Sequence, residues 1–269
     1  MDDNQKHTES KTPPLGGGGL RIFFTALMFY TRIPVPKWTG YSKENLNKAT
    51  GYFPLVGILV GAAGGAVYWL AQHYLPVSIS VLLCMVTTIL LTGAFHEDAI
   101  SDFCDGFGGG YSKEQILNIM KDSRIGTYGA IGLVMTLLSR YFLLSNIDPL
   151  KFFAVIVAAN ALSRLNAVGL IFSSEYVRMD ETSKSKPIGE KHGIGTLILA
   201  IIFGFLPLIF LPWQSVATIG SVLLVALVLF RSYIHKILGG YTGDVLGAFQ
   251  QISEILFYLV FLISIHFVK

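Results

Sequence analysis

Residues 78–95 read SISVLLCMVTTILLTGAF, and residues 96–110, directly after them, read HEDAISDFCDGFGGG. The first segment is apolar and long enough to cross a bilayer as a helix. In the second, Asp98, Asp102 and Asp105 stand at i, i+4 and i+7, which places them on one narrow face of a helix. Like charges on one face repel each other, whereas clustered carboxylate oxygens suit Mg²⁺ or Ca²⁺. The pattern predicts a helix that binds a divalent cation at a membrane boundary; the alternative is a solvated acidic helix end.

The composition is typical of a helical membrane protein. Of the 269 residues, 52% are hydrophobic and only 14% are charged, and the mean hydropathy is +0.59. A soluble domain carries roughly 25% charged residues. The net charge of +3 argues against a nucleic-acid-binding protein, and neither cysteine lies in a zinc-binding pattern.

We therefore predict an all-α fold, a polytopic integral membrane helical bundle. It has about seven spans and a short apolar helix before them at residues 20–33. Residues 1–19 are predicted to be a disordered polar tail, and residues 20–269 the membrane-embedded catalytic domain. The predicted spans are residues 52–72, 78–95, 126–146, 151–172, 194–211, 215–235 and 251–268.

The orientation follows from the distribution of lysine and arginine, which favour cytoplasmic loops. The loops that carry them are residues 34–50, 96–125, 173–193 and 236–250, whereas the loops at 73–77, 147–150 and 212–214 hold none. The long loops are therefore predicted to face the cytoplasm from the inner membrane. The acidic segment and the polar motifs that follow it then converge on one cytoplasmic site.

A basic segment follows the acidic one. Residues 111–129 are predicted to form a short amphipathic helix, capped by Ser112, and a polar turn that opens the next span. Lys121 and Arg124 could contact phosphate there, together with the free N–H groups at the start of the next helix. The alternative is that both residues only anchor the topology. The glycines at the end of the acidic segment, including Gly109 and Gly110, are predicted to end the helix and admit a bulky ligand.

Two further groups of polar residues suggest function. Residues 239–244 read GGYTGD, a turn that could offer a backbone cradle and the carboxylate of Asp244 to a ligand; the alternative is a membrane-surface turn. Arg164 lies inside a predicted span, where a buried charge is costly and usually functional; the alternative is a snorkelling side chain. His96 is either a ligand or a boundary residue.

These segments resemble those of a known family, the cobalamin synthases, also called adenosylcobinamide-GDP ribazoletransferases. The resemblance runs from FYTRIPVP at residues 29–36 through residues 96–110 and 119–129 to residues 239–254. It covers nearly all of the chain after the tail. Its most specific parts are the acidic motif and MKDSRIGTYG at residues 120–129.

The resemblance implies an integral membrane enzyme that joins adenosylcobinamide-GDP to α-ribazole, or to its 5′-phosphate, and releases GMP with Mg²⁺ as cofactor. On that basis Asp98, Asp102 and Asp105 would hold the metal, with Glu97 or Asp122 completing its ligands. Asp102, Asp105, Asp244 and Arg124 are the predicted catalytic residues. Asp244 would be a metal ligand or the base for the attacking ribose hydroxyl. Predicted substrate contacts are Gly109, Gly110, Lys121, Arg124, Thr127, Tyr128, Arg164 and Thr242.

Two other classes of function remain open at this point. One is another membrane transferase of diphosphate substrates, similar to CDP-alcohol phosphotransferases or prenyltransferases, which also cluster aspartates around Mg²⁺ but with a different spacing. The other is a cation-coupled transporter, which should show internal repeats and acidic residues at mid-span; neither is visible here. The sequence leaves open whether the protein forms a homo-oligomer.

Overall fold

The computed structural model describes residues 18–177 and 193–267, and these residues confirm the all-α prediction. The predicted tail lies almost entirely outside the described residues. In chain order the α-helices are α1 Gly18–Tyr30, α2 Lys43–Ala49, α3 Phe53–Ala71, α4 Val77–Thr92, α5 Phe95–Gly109, α6 Lys113–Lys121, α7 Thr127–Ser145, α8 Pro149–Ser173, α9 Ile194–Phe205, α10 Trp213–Leu238 and α11 Gly243–Phe267. Apart from the segment between α8 and α9, most of which lies outside the described residues, the connections are short, and some contain 3₁₀-helix.

The described residues contain fewer candidate spans than the seven predicted from the sequence. By length and composition, the described residues contain five helices that could cross a membrane, or six if α4 and α5 together form one broken span. The five are α2 continued into α3, then α7, α8, α10 and α11. The apolar run at 194–211 forms the short helix α9 and a 3₁₀ segment, Leu206–Phe210, because Pro207 cannot continue an α-helix.

The apolar run at 78–95 breaks at its end. Gly93 adopts a left-handed conformation with φ of 67°, Ala94 follows with φ of 59°, and α5 leaves the direction of α4 by 86°. The Arg32 side chain packs against Gly93 where a Cβ would otherwise lie, and the Arg32 N–H donates to the Leu91 carbonyl at 2.7 Å. This bend turns the acidic segment almost at right angles to α4.

Helix α8 forms the centre of the bundle, and most of its residues are buried. It contacts α3 through Gly57 and Gly61, where an added Cβ would clash with the backbone carbonyls of Asn160 and Ile156. In the sequence, Gly57, Gly61, Gly64 and Gly65 form a glycine-rich face on this segment, a pattern that predicts close helix packing. Helix α11 packs against α8 on one side and against α5 on the other. Helix α8 thus supports the helix pair that carries the acidic residues.

The outer faces of α7 and α10 expose large apolar side chains, including Val134, Leu138, Leu224 and Val228. Exposed apolar surface on this scale indicates contact with lipid or another apolar partner. Helix α1 has 13 residues and is about 20 Å long at 1.5 Å per residue, so it is too short to cross the roughly 30 Å hydrocarbon layer unaided. It confirms the short apolar helix predicted for residues 20–33.

Candidate active site on helices α5 and α11

Helix α5 carries the three aspartates of the acidic motif, as the spacing predicted. Asp98 is exposed, Asp102 is half-buried and Asp105 is buried. The helix ends at Gly109, and the Gly110 N–H closes it by donating to the Gly106 carbonyl at 2.9 Å. The depth of the three carboxylates therefore increases along the helix, and each meets a different environment.

Asp105 caps the first turn of α7. Its Oδ2 accepts from the Gly126 N–H at 2.7 Å and its Oδ1 from the Gly129 N–H at 2.8 Å. A Cβ at Gly129 would overlap this carboxylate, which explains the glycine there. The sequence predicted that the N–H groups at the start of this helix bind a phosphate. In the structure, those of Gly126 and Gly129 donate to Asp105 instead. A carboxylate in this position satisfies N–H groups that lack helical partners and complements the helix dipole.

Asp98, Asp102 and Asp244 form the acidic cluster. Helices α5 and α11 pack tightly where Gly247 lies against Ala99, and a larger residue at 247 would clash there. This packing brings Asp244, in the first turn of α11, to the same side as the aspartates of α5. The carboxylates of Asp98, Asp244 and Asp105 are close enough to Asp102 to repel its charge, and Asp98 repels Asp244 in the same way.

The side chains of the acidic cluster do not converge on one point in the conformation observed. Across residues 18–177 and 193–267, no three His, Cys, Asp or Glu side chains are arranged to hold a metal ion. Of the five residues that the sequence assigned to metal, Glu97, Asp105 and Asp122 bind other protein groups. Asp98 and Asp102 therefore remain as candidate metal ligands, together with Asp244 of α11.

Asp122 and Arg124 bind each other in the turn between α6 and α7. The Arg124 Nε and NH2 groups donate to the Asp122 carboxylate at 3.0 and 2.5 Å, and the backbone N–H of Arg124 adds a third bond at 3.1 Å. These hydrogen bonds lower the pKa of Asp122 to about 2. The Arg124 side chain is 87% exposed, so a competing anion can reach it. Asp122 thus orients Arg124 and does not join the acidic cluster.

The glycines of the acidic segment serve mainly to pack helices. Gly106 and Gly110 lie against α6, where a Cβ would clash with Met120 and Ile116, and Gly108 lies under the ring of Tyr128. Helix α6 therefore packs against glycines that were predicted to admit a bulky ligand. Helix α6 itself is confirmed, with the Ser112 hydroxyl accepting from the Gln115 N–H at 3.3 Å.

The remaining predicted substrate contacts differ in their exposure. Gly109, Lys121, Thr127 and Tyr128 are exposed, whereas Thr242 is half-buried. The Thr242 hydroxyl accepts from the Val245 N–H at 3.3 Å and so caps the first turn of α11. This cap orients the turn that presents Asp244.

A buried ion network lies behind the acidic cluster, inside the bundle. Arg140 of α7 is 2% exposed, and its NH1 lies 3.0 Å from Glu97 Oε1 while its NH2 lies 3.3 Å from Glu254 Oε1. Glu97, assigned to the metal from the sequence, is 6% exposed and turned away from the acidic cluster toward Arg140. One step along a helix rotates the side chain by about 100°, so Glu97 cannot share the face of Asp98.

The network extends through α8 and α11. Glu254 also accepts from Gln250 Nε2 at 2.8 Å and from the Tyr258 hydroxyl at 2.9 Å. Gln250 Nε2 also donates to the Ser163 hydroxyl of α8 at 2.9 Å. Arg140 thereby fixes α5, α7 and α11 relative to one another at the level where α5 begins.

Arg164 lies inside the bundle rather than at the surface. It is 2% exposed, its NH1 donates to the backbone carbonyl and the side-chain oxygen of Asn160, both at 2.9 Å, and its guanidinium stands 5.5 Å from the ring centre of Phe53. The snorkelling alternative is therefore wrong. The predicted direct contact between Arg164 and substrate has no support in this placement.

Comparison with known proteins gives the family. A family model described as cobalamin-5-phosphate synthase matches residues 22–262, which include every residue of the acidic cluster and the ion network. The chain belongs to this family. Relatives from Shewanella frigidimarina and Shewanella oneidensis are 47% and 48% identical, each over 90% of this chain and 94% of the relative. Both relatives are named adenosylcobinamide-GDP ribazoletransferase. No solved structure matches the chain.

Membership in the cobalamin-5-phosphate synthase family confirms the resemblance drawn from the sequence and places the chain in cobalamin synthesis. Sequence reasoning missed Arg140 and its bond to Glu254. The signal was available, because an arginine in the middle of the apolar run 126–146 is costly unless it has a buried partner. The partners lie 43 and 114 positions away along the chain, so the sequence alone could not pair them.

Proposed function

We propose that this cobalamin-5-phosphate synthase family member is an adenosylcobinamide-GDP ribazoletransferase. It joins adenosylcobinamide-GDP to α-ribazole, or to α-ribazole 5′-phosphate, and releases GMP. The names of the relatives support this reaction. The single observation that carries the proposal is the acidic cluster, in which Asp98 and Asp102 of α5 lie beside Asp244 of α11.

The reaction is a substitution at phosphorus. A ribose hydroxyl attacks the phosphorus linked to cobinamide, a new P–O bond forms, and the P–O bond to GMP breaks with its electron pair leaving on GMP. The hydroxyl proton passes to a base. Asp244 is half-buried at the edge of the acidic cluster, so it suits either this role or that of a metal ligand. Catalysis of this kind depends mainly on positioning and charge neutralisation.

The acidic cluster fits Mg²⁺ by its donor chemistry. Carboxylate oxygens are the ligands that Mg²⁺ prefers, and three neighbouring carboxylates, two of them half-buried, repel each other unless a cation offsets their charge. Asp98, Asp102 and Asp244 would hold the ion once their side chains turn toward one another. When bound, it would neutralise negative charge on the diphosphate. Asp105 would act on this site indirectly, because it fixes α7 against α5.

Lys121 and Arg124 would neutralise charge on the transferring and leaving phosphates. Lys121 ends α6 and Arg124 lies in the turn before α7; both are exposed and close in sequence to the glycines that bind Asp105. Asp122 holds the guanidinium of Arg124 in a planar, two-pronged arrangement, which a phosphate can take over through the same N–H groups. The surface salt bridge that this exchange breaks is exposed and therefore weak.

The substitution Arg124→Lys tests whether Arg124 contacts phosphate or only anchors the membrane topology. We expect kcat/KM for transfer to fall by about tenfold, because lysine keeps the charge but cannot form two parallel hydrogen bonds. Steady-state release of GMP in detergent measures this effect, with Lys48→Arg in the exposed Lys48–Glu44 pair as a control that changes no phosphate contact. Unchanged kinetics for Arg124→Lys would assign Arg124 to anchoring alone.

The acidic cluster is proposed to face the cytoplasm. The lysines and arginines of residues 34–50 and 96–125 lie at the same end of the chain's spans as the cluster, and such residues favour the cytoplasmic side of the inner membrane. The lipid bilayer surrounds the exposed apolar faces of α7 and α10. A homo-oligomer is compatible with this arrangement and is not required by it.

A substrate panel tests the proposed function against its alternatives. Purified protein in liposomes is incubated with Mg²⁺ and either cobinamide-GDP plus α-ribazole, a CDP-alcohol plus an alcohol acceptor, or a prenyl diphosphate plus an acceptor. We expect GMP and a cobamide from the first mixture and no product from the other two. Turnover of a CDP-alcohol or prenyl diphosphate with none of cobinamide-GDP would contradict the proposal. Cation uptake into the liposomes without any transfer would favour the transporter.

A further inference from the structure

Asp244 is the one member of the acidic cluster that α5 does not carry, so its place depends on where α11 begins. Helix α10 ends at Leu238, and Gly239 follows in a left-handed conformation with φ of 81°. Helix α11 begins at Gly243, so only residues 239–242 connect the two helices. Contacts that fix this turn therefore also fix the position from which α11 presents Asp244.

The segment that follows α8 runs alongside this turn. The Tyr241 N–H donates to the Glu175 carbonyl at 2.9 Å, and the Val177 N–H donates to the Tyr241 carbonyl at 2.8 Å. These two hydrogen bonds pair Tyr176 with Tyr241 in a parallel β-bridge. We call the pairing of residues 175–177 with residues 240–241 the strand bridge. It joins two loops of an otherwise helical structure.

The side chains at the strand bridge bring its two segments close together. Gly240 is buried, and a Cβ there would overlap the Glu175 carbonyl and lie 2.9 Å from Cγ2 of Val177. The Tyr241 ring is fully buried in an apolar cluster shared by α6, α8, α10 and α11, and it meets the Tyr176 ring edge-on with centres 5.5 Å apart. The close approach requires glycine at position 240, and the buried ring restrains the turn.

Both segments of the strand bridge are also anchored to helices. Arg231 of α10 donates from Nε to the Ser173 carbonyl at 2.7 Å, where α8 ends and the paired segment begins. On the other side, the Leu246 N–H donates to the Thr242 carbonyl at 3.1 Å and so joins the turn to the first turn of α11. Only two residues separate the bridge from Asp244, so a displacement of the bridge would move this carboxylate.

We infer that the strand bridge positions Asp244 for the cation site, with Val177 and Gly240 as positioning residues that act through Asp244. The two aspartates of α5 share one helix, so the geometry of the acidic cluster depends mainly on where α11 places its carboxylate. Mg²⁺ demands near-octahedral geometry, and a ligand has to be held within about 0.5 Å of its place. The alternative is that the bridge stabilises the fold alone. This inference rests on the proposed function.

Val177→Pro tests the strand bridge from the segment after α8. Proline removes the N–H that donates to Tyr241, and it suits an extended segment. Electron paramagnetic resonance of the purified protein in detergent gives the Kd for Mn²⁺. We expect this Kd to rise about fivefold, because cation binding then has to restore the order that one hydrogen bond supplied. Val177→Ala keeps the N–H and is the matched control, with an unchanged Kd.

Coupling to Asp244 distinguishes positioning from a general structural role. If Val177 acts through Asp244, Val177→Pro should not weaken Mn²⁺ binding further when Asp244→Asn is already present. The same loss in both backgrounds would contradict the inference, and so would a wild-type Kd in the single variant Val177→Pro.

Gly240→Ala tests the strand bridge from the turn, and it serves if Val177→Pro fails to accumulate. Its Cβ would push the Glu175 carbonyl away, so Mn²⁺ binding should weaken and show the same coupling to Asp244→Asn. Gly243→Ala is the matched control, because a Cβ there meets no atom within 4 Å. Equal weakening by both alanine substitutions would contradict a role of the bridge.

Hydrogen exchange tests the inference in the unmodified protein. Because coupling between two sites is reciprocal, Mn²⁺ should slow exchange of the amide hydrogens of Val177 and Tyr241. Exchange in the turn at residues 146–150, at the other end of the bundle, should not change. Exchange at Val177 and Tyr241 that does not respond to Mn²⁺ would overturn the inference.

Failure of this inference differs from failure of the proposed function. A wild-type Kd for Mn²⁺ and normal GMP release in Val177→Pro would overturn the inference and leave the transferase intact. The expected changes in Kd, with no transfer by the wild type, would support the inference and contradict the transferase. A wild type that binds no Mn²⁺ would contradict both.

Discussion

Asp102→Asn is expected to reduce transfer about a hundredfold or more while the protein still inserts and accumulates. The charge of Asp102 is repelled by the carboxylates of Asp98 on its own helix and of Asp244 on α11. Losing this charge weakens the cation site opposite the diphosphate, and a hundredfold corresponds to ~2.7 kcal/mol of transition-state stabilisation. The measurement is GMP release at limiting Mg²⁺, with the amount of folded protein determined in parallel.

Asp148→Asn is the matched control for this substitution. Asp148 caps α8 at the opposite end of the bundle, where its Oδ1 accepts from the Leu150 N–H at 2.9 Å, and asparagine caps helices equally well. Its activity should equal that of the wild type. Near-normal turnover by Asp102→Asn at limiting Mg²⁺ would show that the acidic cluster has no role in catalysis.

Arg140→Met is expected to cause the largest loss of stability among single substitutions in the buried network. It leaves Glu97 and Glu254 buried without their cation, and removing one partner of a buried ion pair costs about 3–5 kcal/mol. Thermal unfolding in detergent, followed by the loss of monodisperse protein, measures the effect. We expect a clear drop in midpoint and in yield.

A triple variant tests whether the stability loss of Arg140→Met comes from unpaired charges or from lost packing. Arg140→Met combined with Glu97→Gln and Glu254→Gln removes all three charges, so it should recover part of the lost stability. Lys48→Met, which breaks the exposed Lys48–Glu44 pair, should change the midpoint little because surface ion pairs contribute little. If the triple variant is no more stable than Arg140→Met, the charge argument for this network fails.

The sequence predicted local features of the site well. The spacing of Asp98, Asp102 and Asp105 determines a shared helix face, and that face exists in α5. Ser112 was recognised as a cap because N-capping depends on residues within one turn. The glycine face of α3 was recognised for the same reason, since small residues at helical spacing permit close packing whatever the partner.

Features that depend on distant pairing could not be predicted in the same way. Asp105 binds N–H groups 21 and 24 positions later, and only the folded turn before α7 brings them together. Glu97 was predicted to bind the metal because it adjoins Asp98 in the sequence. Its side chain instead points into the bundle, where it pairs with Arg140. The bend at Gly93 and Ala94 was missed because Arg32, which packs against it, comes from a distant part of the chain.

The central claim is that carboxylates from α5 and α11 form one cation site, and binding of Mn²⁺ in place of Mg²⁺ tests it most directly. Electron paramagnetic resonance of the purified protein in detergent gives the Kd for Mn²⁺ without requiring substrate or turnover. We predict that Asp102→Asn and Asp244→Asn each weaken binding about tenfold or more, whereas Asp122→Asn leaves the Kd unchanged because Asp122 binds Arg124. Unchanged binding in Asp244→Asn, or a loss of binding in Asp122→Asn, would contradict the account.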